Sequence, residues 1–177
     1  AQRFNHHFGE TFVVPEAVIP ETGSRIMGLD DPSVKMSKSE SDNQGHSIRL
    51  LDSASDIERS IKRSVTYSGN EIRFSADPSK AGVNNLLEIY KGISGKSESE
   101  VESDFRDARG YGDLKSRVAE SVISAVEPIQ HRYHQHIKDV TELDRLMSIG
   151  AERAKDVSKP KLDEMKQRVG LTLPNSL

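Results

Sequence analysis

Apolar residues recur at helical spacing along most of this 177-residue chain, and this repetition constrains the fold more than any other feature. Spacings of three and four residues place side chains on one face of an α-helix. The pattern predicts a series of helices after residue 50 whose apolar faces pack together. The predicted helical segments are 53–65, 80–93, 97–105, 114–137, 143–155 and 162–169. We therefore expect a mostly α fold.

Two of these segments carry specific predictions of burial. Ile57, Ile61 and Val65 recur at every fourth position behind a serine cap at position 53 or 55, so we expect one helix face to bury all three. Pro128 falls inside the longest segment and predicts a kink, because proline removes one backbone hydrogen bond. The apolar stripe of that segment comprises Leu114, Val118, Val122, Val126 (or Ala125), Ile129, Tyr133 and Ile137.

Residues 1–50 have a different pattern and predict a small α/β piece. Ala1–Phe8 is typical of the end of a helix, with Gly9 as its C-cap. The short run Arg25–Leu29 predicts a β-strand, and the polar segment Lys35–Ser47 predicts an exposed loop.

Composition excludes several classes of protein. Cysteine is absent, which excludes disulfide bonds, thiolate zinc sites and a cysteine nucleophile and suits a cytoplasmic protein. No apolar run approaches the ~18 residues that a membrane span needs, so we expect no membrane partner. Because the formal net charge is −3, any contact with nucleic acid must depend on local basic patches.

One loop carries residues suited to chemistry. Lys35–Ser39 reads Lys-Met-Ser-Lys-Ser, and its ammonium groups, hydroxyls and backbone amides can donate to phosphate oxygens. As a phosphoanhydride bond breaks, charge grows on the leaving oxygens, and a lysine there stabilises the transition state more than the ground state. The residues alone leave two interpretations open, a polyphosphate-binding loop and an ordinary basic surface loop.

The literal order of these five residues is more specific than their chemistry. A chain of this composition is expected to contain it about 0.0003 times by chance. The pentapeptide resembles the signature loop of class I aminoacyl-tRNA synthetases. The resemblance extends from Ala1 to about Gly170 and is to the bacterial-type tryptophanyl-tRNA synthetase family. The other segments that carry it are 24–27, 41–43, 61–66, 80–87, 111–115 and 132–134.

This resemblance implies two domains. Residues 1–50 would be the C-terminal edge of a Rossmann-like α/β nucleotide-binding domain that carries the signature loop, and residues 51–177 a helical bundle that binds the anticodon. The chain would be the C-terminal half of such an enzyme, with the tryptophan pocket and the homodimer surface in the other half. We therefore expect the 177 residues alone to be inactive.

The family's reaction has two steps, and the resemblance assigns part of the first to this chain. The carboxylate of tryptophan attacks the α-phosphate of ATP, which is accompanied by Mg²⁺, giving tryptophanyl-adenylate and pyrophosphate. The aminoacyl group then moves to tRNA(Trp). Lys35 and Lys38 are the expected catalytic residues, and we expect no bound structural metal. The residues expected to contact ATP are Ile26, Lys35, Met36, Ser37, Lys38 and Ser39.

Other interpretations remain open at this point. The chain could belong to another class I synthetase, such as tyrosyl-tRNA synthetase, or be a stand-alone helical RNA-binding module. Glu127, His131 and His134 share a predicted helix face and could bind a metal, although a solvated polar face is the commoner arrangement. The basic residues within 59–63 and 115–117 could meet tRNA phosphates.

Overall fold

The computed structural model describes residues 1–20, 23–37 and 45–171. Within these residues the chain forms six α-helices and no β-strand, so the mostly α prediction is confirmed. A 3-10 turn at Pro78–Lys80 leads into the third helix. The helices are α1 (Gln2–Phe8), α2 (Ala54–Arg63), α3 (Ala81–Ser94), α4 (Glu98–Asp104), α5 (Tyr111–His136) and α6 (Val140–Arg168).

The chain divides into two compact units. One unit comprises Ala1–Val18 and His134–Leu177, and the other comprises Ile19–Tyr133. The functional domains that we predict, 1–50 and 51–177, rest on the family resemblance and stay a prediction.

The hydrophobic core lies in the Ile19–Tyr133 unit. As predicted, α2 buries Ile57 and Ile61, but Val65 is 47% exposed. That part of the prediction is wrong because α2 ends at Arg63, so Val65 lies beyond the helical repeat. The core residues are Leu29, Ile57, Ile61, Val83, Leu86, Leu87, Val101, Phe105, Leu114, Val118, Ala119 and Val122.

The long apolar stripe of α5 is buried only in its first half. Leu114, Val118 and Val122 are buried, whereas Ile129 and Tyr133 are 48% and 42% exposed. The prediction of one continuous buried stripe is therefore wrong after residue 126, because helical spacing sets which side chains share a face but not what covers that face. Pro128 lies inside α5, which continues through it, and the predicted kink stays a prediction.

Two predicted helix caps, Gly9 after α1 and Ser53 before α2, are confirmed, and the structure shows further caps on α3 and α4. Ser53 caps α2 by accepting a hydrogen bond from the Asp56 N–H, and Gly95 ends α3 with a φ of 68°. Ser97 and Glu100 form a capping box at the start of α4, in which each side chain bonds the backbone N–H of the other.

Two predicted secondary-structure boundaries are wrong. The segments 143–155 and 162–169 belong to one helix, α6, with Pro160 inside it. A proline removes one hydrogen bond from a helix, and α6 continues on the bonds that remain. The strand predicted at Arg25–Leu29 is also absent, since Met27 makes only an isolated antiparallel bridge with Lys35.

Candidate nucleotide-binding site

The segment that carries the predicted site is a short hairpin-like turn. The Gly28 N–H donates to the Val34 carbonyl at 2.8 Å, and the Met36 N–H donates to the Ile26 carbonyl at 3.0 Å. These two bonds flank the bridge between Met27 and Lys35. The residues on either side of Lys35, Val34 and Met36, are thus both hydrogen-bonded to the segment 26–28, and these bonds fix the backbone of Lys35.

Asp31 stabilises the turn between the two arms. Its carboxylate accepts hydrogen bonds from the Ser33 hydroxyl at 2.6 Å and from the Ser33 N–H at 2.9 Å. The Ser33 hydroxyl, followed by the Ser33 N–H, holds the pKa of Asp31 below its usual value. An Asp-Pro-Ser sequence is typical of such a turn because the aspartate can bond the backbone two residues on.

The side chain of Asn85 makes the two backbone hydrogen bonds to Met27 that a neighbouring β-strand would otherwise make. Its side-chain oxygen accepts from the Met27 N–H and its amide nitrogen donates to the Met27 carbonyl, both at 2.8 Å. A primary amide presents the same donor and acceptor as a peptide group, so one buried side chain on α3 satisfies both backbone groups. The preceding residue, Asn84, bonds the N–H and carbonyl of Ser75 in the same way.

Four of the six predicted ATP-binding residues are described, and they lie on this turn or directly after it. Lys35 is exposed and makes no ion pair with the described residues, so its ammonium group is accessible to an anion. Ile26 and Met36 are half-buried and paired through their backbones, and Ser37 follows directly. The predicted residues Lys38 and Ser39 lie outside the described residues.

An apolar cavity of about 350 Å³ lies beside Ile26 and Met36. Among the described lining residues only Glu88 is charged, so the described wall is suited to an apolar group rather than to phosphate. The lining residues are Gly23, Ile26, Met36, Ile48, Glu88, Ile89, Gly92, Ile93 and Val122.

One of the two basic patches is used within the fold. The Lys115 ammonium donates to the carbonyls of Ser64 at 2.8 Å and Lys62 at 3.2 Å, at the C-terminal end of α2. Burial lowers the pKa of Lys115. Arg117 donates to the Asp107 carboxylate at 2.8 Å. Since both cations already have partners, this patch is poorly suited to bind phosphate.

The other basic patch lies on α2 and is more accessible. Arg59 and Lys62 are exposed and pair with Asp56 and Glu58 on the same helix. Arg63 is exposed and forms no ion pair among the described residues. Surface pairs of this kind contribute little to stability and are easily exchanged for another anion.

The described parts of the chain contain no group of three histidine, cysteine, aspartate or glutamate side chains that could hold a metal ion. Glu127, His131 and His134 are thus not brought together as such a group in the described structure. Over the same residues, no helix is both long enough and apolar enough to cross a membrane.

Two features of the site were missed by sequence reasoning. Asn85 interrupts the apolar face of α3, and a polar residue in such a position was the available signal for a buried hydrogen bond. His46 lies in the segment predicted to be exposed, yet it is only 3% exposed and its ring contacts Asp30. No local pattern marks that burial, because it depends on the packing of Gly28 against the ring.

Residues 1–127 match the family model described as tRNA synthetases class I (W and Y). The chain belongs to this class I tRNA synthetase family. The predicted family is therefore confirmed by a match that covers most of the chain.

The curated relatives and the solved structure to which the chain is similar are tryptophan-specific members of this family. The chain is 44% identical to the tryptophan–tRNA ligase of Wolinella succinogenes and 42% identical to that of Bacillus subtilis, each over 171 residues. Both alignments cover 97% of this chain and 51% of the relative. A crystal structure of tryptophanyl-tRNA synthetase from Mycoplasma pneumoniae superposes with a TM-score of 0.84 and 28% identity, covering 99% of this chain and 52% of that one. The chain thus spans about half the length of these relatives.

Proposed function

We propose that this chain supplies the phosphate-binding loop and the helical part of a tryptophan–tRNA ligase. In that enzyme, tryptophan and ATP give tryptophanyl-adenylate and pyrophosphate, and the aminoacyl group is then transferred to tRNA(Trp). The names of the relatives support tryptophan as the amino acid. The observation that carries the proposal is the accessible Lys35 ammonium on a turn whose backbone is held by Asn85.

In this proposal Lys35 acts electrostatically on the phosphates of ATP. The ammonium group donates to phosphate oxygens and neutralises the charge that grows on pyrophosphate as the bond to the α-phosphorus breaks. Lys38 has the same role, and Met36, Ser37 and Ser39 contact the phosphates from the same loop. No proton transfer by either lysine is required, because pyrophosphate leaves as an anion.

Ile26 is proposed to meet the adenine end of ATP through its backbone. Its pairing with Met36 supports this role, since it fixes the distance between the adenine contact and the phosphate contacts along the loop. Mg²⁺ belongs to the substrate, because it arrives coordinated to the phosphates of ATP.

The helical residues 51–177 are proposed to contact tRNA(Trp), and residues 1–50 to belong to the nucleotide-binding domain. Within the helical part, the patch of Arg59, Lys62 and Arg63 on α2 is the proposed phosphate contact. Affinity for tRNA should fall steeply as salt rises, because each neutralised phosphate releases counterions.

ATP binding to the 177-residue chain tests the proposal. Lys35→Ala should raise the dissociation constant for ATP about tenfold, the loss expected for one charge-assisted contact. Lys155→Ala is the matched control, since Lys155 is exposed on α6 and its substitution removes the same charge elsewhere. Equal affinities for the wild-type chain and Lys35→Ala would contradict the assigned role.

The 177-residue chain alone is expected to catalyse no tryptophan-dependent exchange between ATP and pyrophosphate. Catalysis requires tryptophan and ATP to be held in one geometry, and the effective concentration of the reactants is lost without walls that position both. Exchange above a buffer blank would contradict this expectation, and exchange that depends on tyrosine would favour the other amino acid of the family.

A further inference from the structure

His46 makes an unusual set of contacts for a histidine that follows a polar loop. Its Nδ1 lies 2.6 Å from the Asp30 carboxylate, and its backbone carbonyl accepts from the Leu29 N–H at 3.0 Å. Because a carboxylate oxygen can only accept, Nδ1 must carry the proton. Two consecutive residues of the hairpin arm are thus bonded to this one histidine.

The imidazole is seated against the backbone of Gly28. A Cβ at that position would lie 2.4 Å from Cε1 of the ring and 2.7 Å from Nδ1. Gly28 is therefore required for its lack of a side chain, and it allows the ring to reach Asp30. The second ring nitrogen, Nε2, is buried and has no hydrogen-bond partner in the described structure.

A histidine at this position could serve to fill space in the fold or to make the hydrogen bond to Asp30. The unpartnered Nε2 argues against the first of these two roles. Burying a polar atom without a partner lowers stability, so an aliphatic side chain would fill the space better. The polar contribution of the imidazole lies in the Nδ1 bond to Asp30.

The bond to Asp30 completes a continuous set of restraints on one arm of the hairpin. Met27 is held by Asn85, and the Leu29 carbonyl accepts from the Val65 N–H at 2.8 Å. His46 holds Leu29 and Asp30 from the other side. The opposite arm carries Lys35, which follows any movement of this arm through the bonds of Gly28 to Val34 and Met36 to Ile26.

We propose that His46 is a positioning residue, which holds the hairpin arm through Asp30 so that Lys35 is oriented toward the phosphates of ATP. This inference rests on the proposed function. His46 does not touch ATP in this account, and its whole effect passes through the backbone of residues 27–36.

Two variants of His46 separate the hydrogen bond from the volume of the ring. His46→Asn keeps an N–H donor at the δ position, and His46→Leu fills the space without a donor. The leucine variant should raise the dissociation constant for ATP about tenfold and speed the amide exchange of Leu29 and Met36 by a similar factor. The asparagine variant should recover most of both, while thermal unfolding midpoints of the two variants should differ by less than about 2 °C.

Amide exchange is measured without ATP, so it tests the inference independently of the proposed function. If Lys35→Ala leaves ATP affinity unchanged but the two His46 variants still differ in exchange at Met36, the proposed function fails and the restraint stands. Equal exchange in the asparagine and leucine variants would overturn the inference. Nitrogen-15 chemical shifts should also show a proton on Nδ1 of His46 in the wild-type chain, and a proton on Nε2 alone would overturn it.

Discussion

The two compact units use the same helical periodicity in different ways. In the Ile19–Tyr133 unit, α2 to α5 bury their apolar faces, and all twelve core residues lie between Leu29 and Val122. In the unit of Ala1–Val18 and His134–Leu177, neither α1 nor α6 has a buried residue. A regular apolar repeat thus forms a helix in both units, but among the described residues only the Ile19–Tyr133 unit encloses a core.

This contrast shows what holds the second unit together. Its contacts are a small aromatic cluster, in which the ring of Phe4 lies 4.9 Å from the rings of Phe8 and Phe12, and exposed polar bonds. The Lys161 ammonium donates to the Thr11 carbonyl at 2.7 Å, and Arg168 donates to the Phe8 carbonyl at 3.2 Å. Exposed polar contacts contribute little to stability compared with a buried apolar side chain. We therefore expect substitutions of buried residues in the Ile19–Tyr133 unit to lower the free energy of unfolding far more than substitutions in the other unit.

The largest difference is expected from shortening an apolar side chain in each unit. Leu86 is fully buried on α3, whereas Val157 is 82% exposed on α6. Leu86→Ala should lower the free energy of unfolding by about 3 kcal/mol, because it leaves a cavity in the core. Val157→Ala should change it by no more than about 0.5 kcal/mol. Urea unfolding measures both, and similar losses would show that α6 is packed as tightly as α3.

A smaller difference, with opposite signs, is expected from adding a methyl group to a helical glycine. A Cβ at Gly82 on α3 would lie 2.0 Å from the Val65 carbonyl oxygen, so Gly82→Ala should cost about 2 kcal/mol. A Cβ at Gly150 on α6 would have nothing within 4 Å. Gly150→Ala should therefore stabilise the chain by about 0.5 kcal/mol, because alanine loses less backbone entropy. Destabilisation by both variants in urea unfolding would show that α6 is packed around Gly150 as α3 is around Gly82.

The smallest of these differences in the free energy of unfolding is expected from neutralising one partly buried carboxylate, that of Asp104. Asp104 accepts from the Lys96 ammonium and from the Tyr90 hydroxyl. These contacts, that of Lys96 first, hold the pKa of Asp104 below 3.8. At neutral pH, Asp104→Asn should cost about 1 kcal/mol.

The pH dependence of that cost has a definite sign. Because the folded-state pKa is lowered, the contribution of Asp104 is present above about pH 4 and is lost as the pH falls through the folded-state value. The gap between wild type and Asp104→Asn should therefore close in acid. Asp163→Asn on α6 is the control, and it should have no measurable effect because its partner Lys159 is exposed. A gap for Asp104→Asn that widens in acid would contradict this assignment.

Local chemistry explains which parts of the fold could be predicted. The Gly9 cap of α1 and the Ser53 cap of α2 each involve residues within one turn, so their identities were sufficient. The strand predicted at Arg25–Leu29 failed because its neighbour on one side is the side chain of Asn85, 58 residues away from Met27. Pairing across that distance leaves no local periodicity.

The candidate site divides in the same way. The family could be predicted from the sequence and is confirmed by the family model, whereas the role of the Lys35–Ser39 loop stays a proposal. The exposure of Lys35 agrees with that proposal. The burial of His46 could not be predicted, because it requires both the missing Cβ of Gly28 and the carboxylate of Asp30. Each of these residues is ordinary by itself, and only the fold brings them together.

Lys35 is proposed to act on the terminal phosphates of ATP. Binding of ATP, AMP and pyrophosphate to the wild-type chain and to Lys35→Ala, measured at one salt concentration, tests this role. Lys35→Ala should weaken the binding of ATP and pyrophosphate by about tenfold each and leave that of AMP unchanged, because AMP lacks the terminal phosphates that this lysine would meet. An equal loss for AMP, or no loss for pyrophosphate, would contradict it.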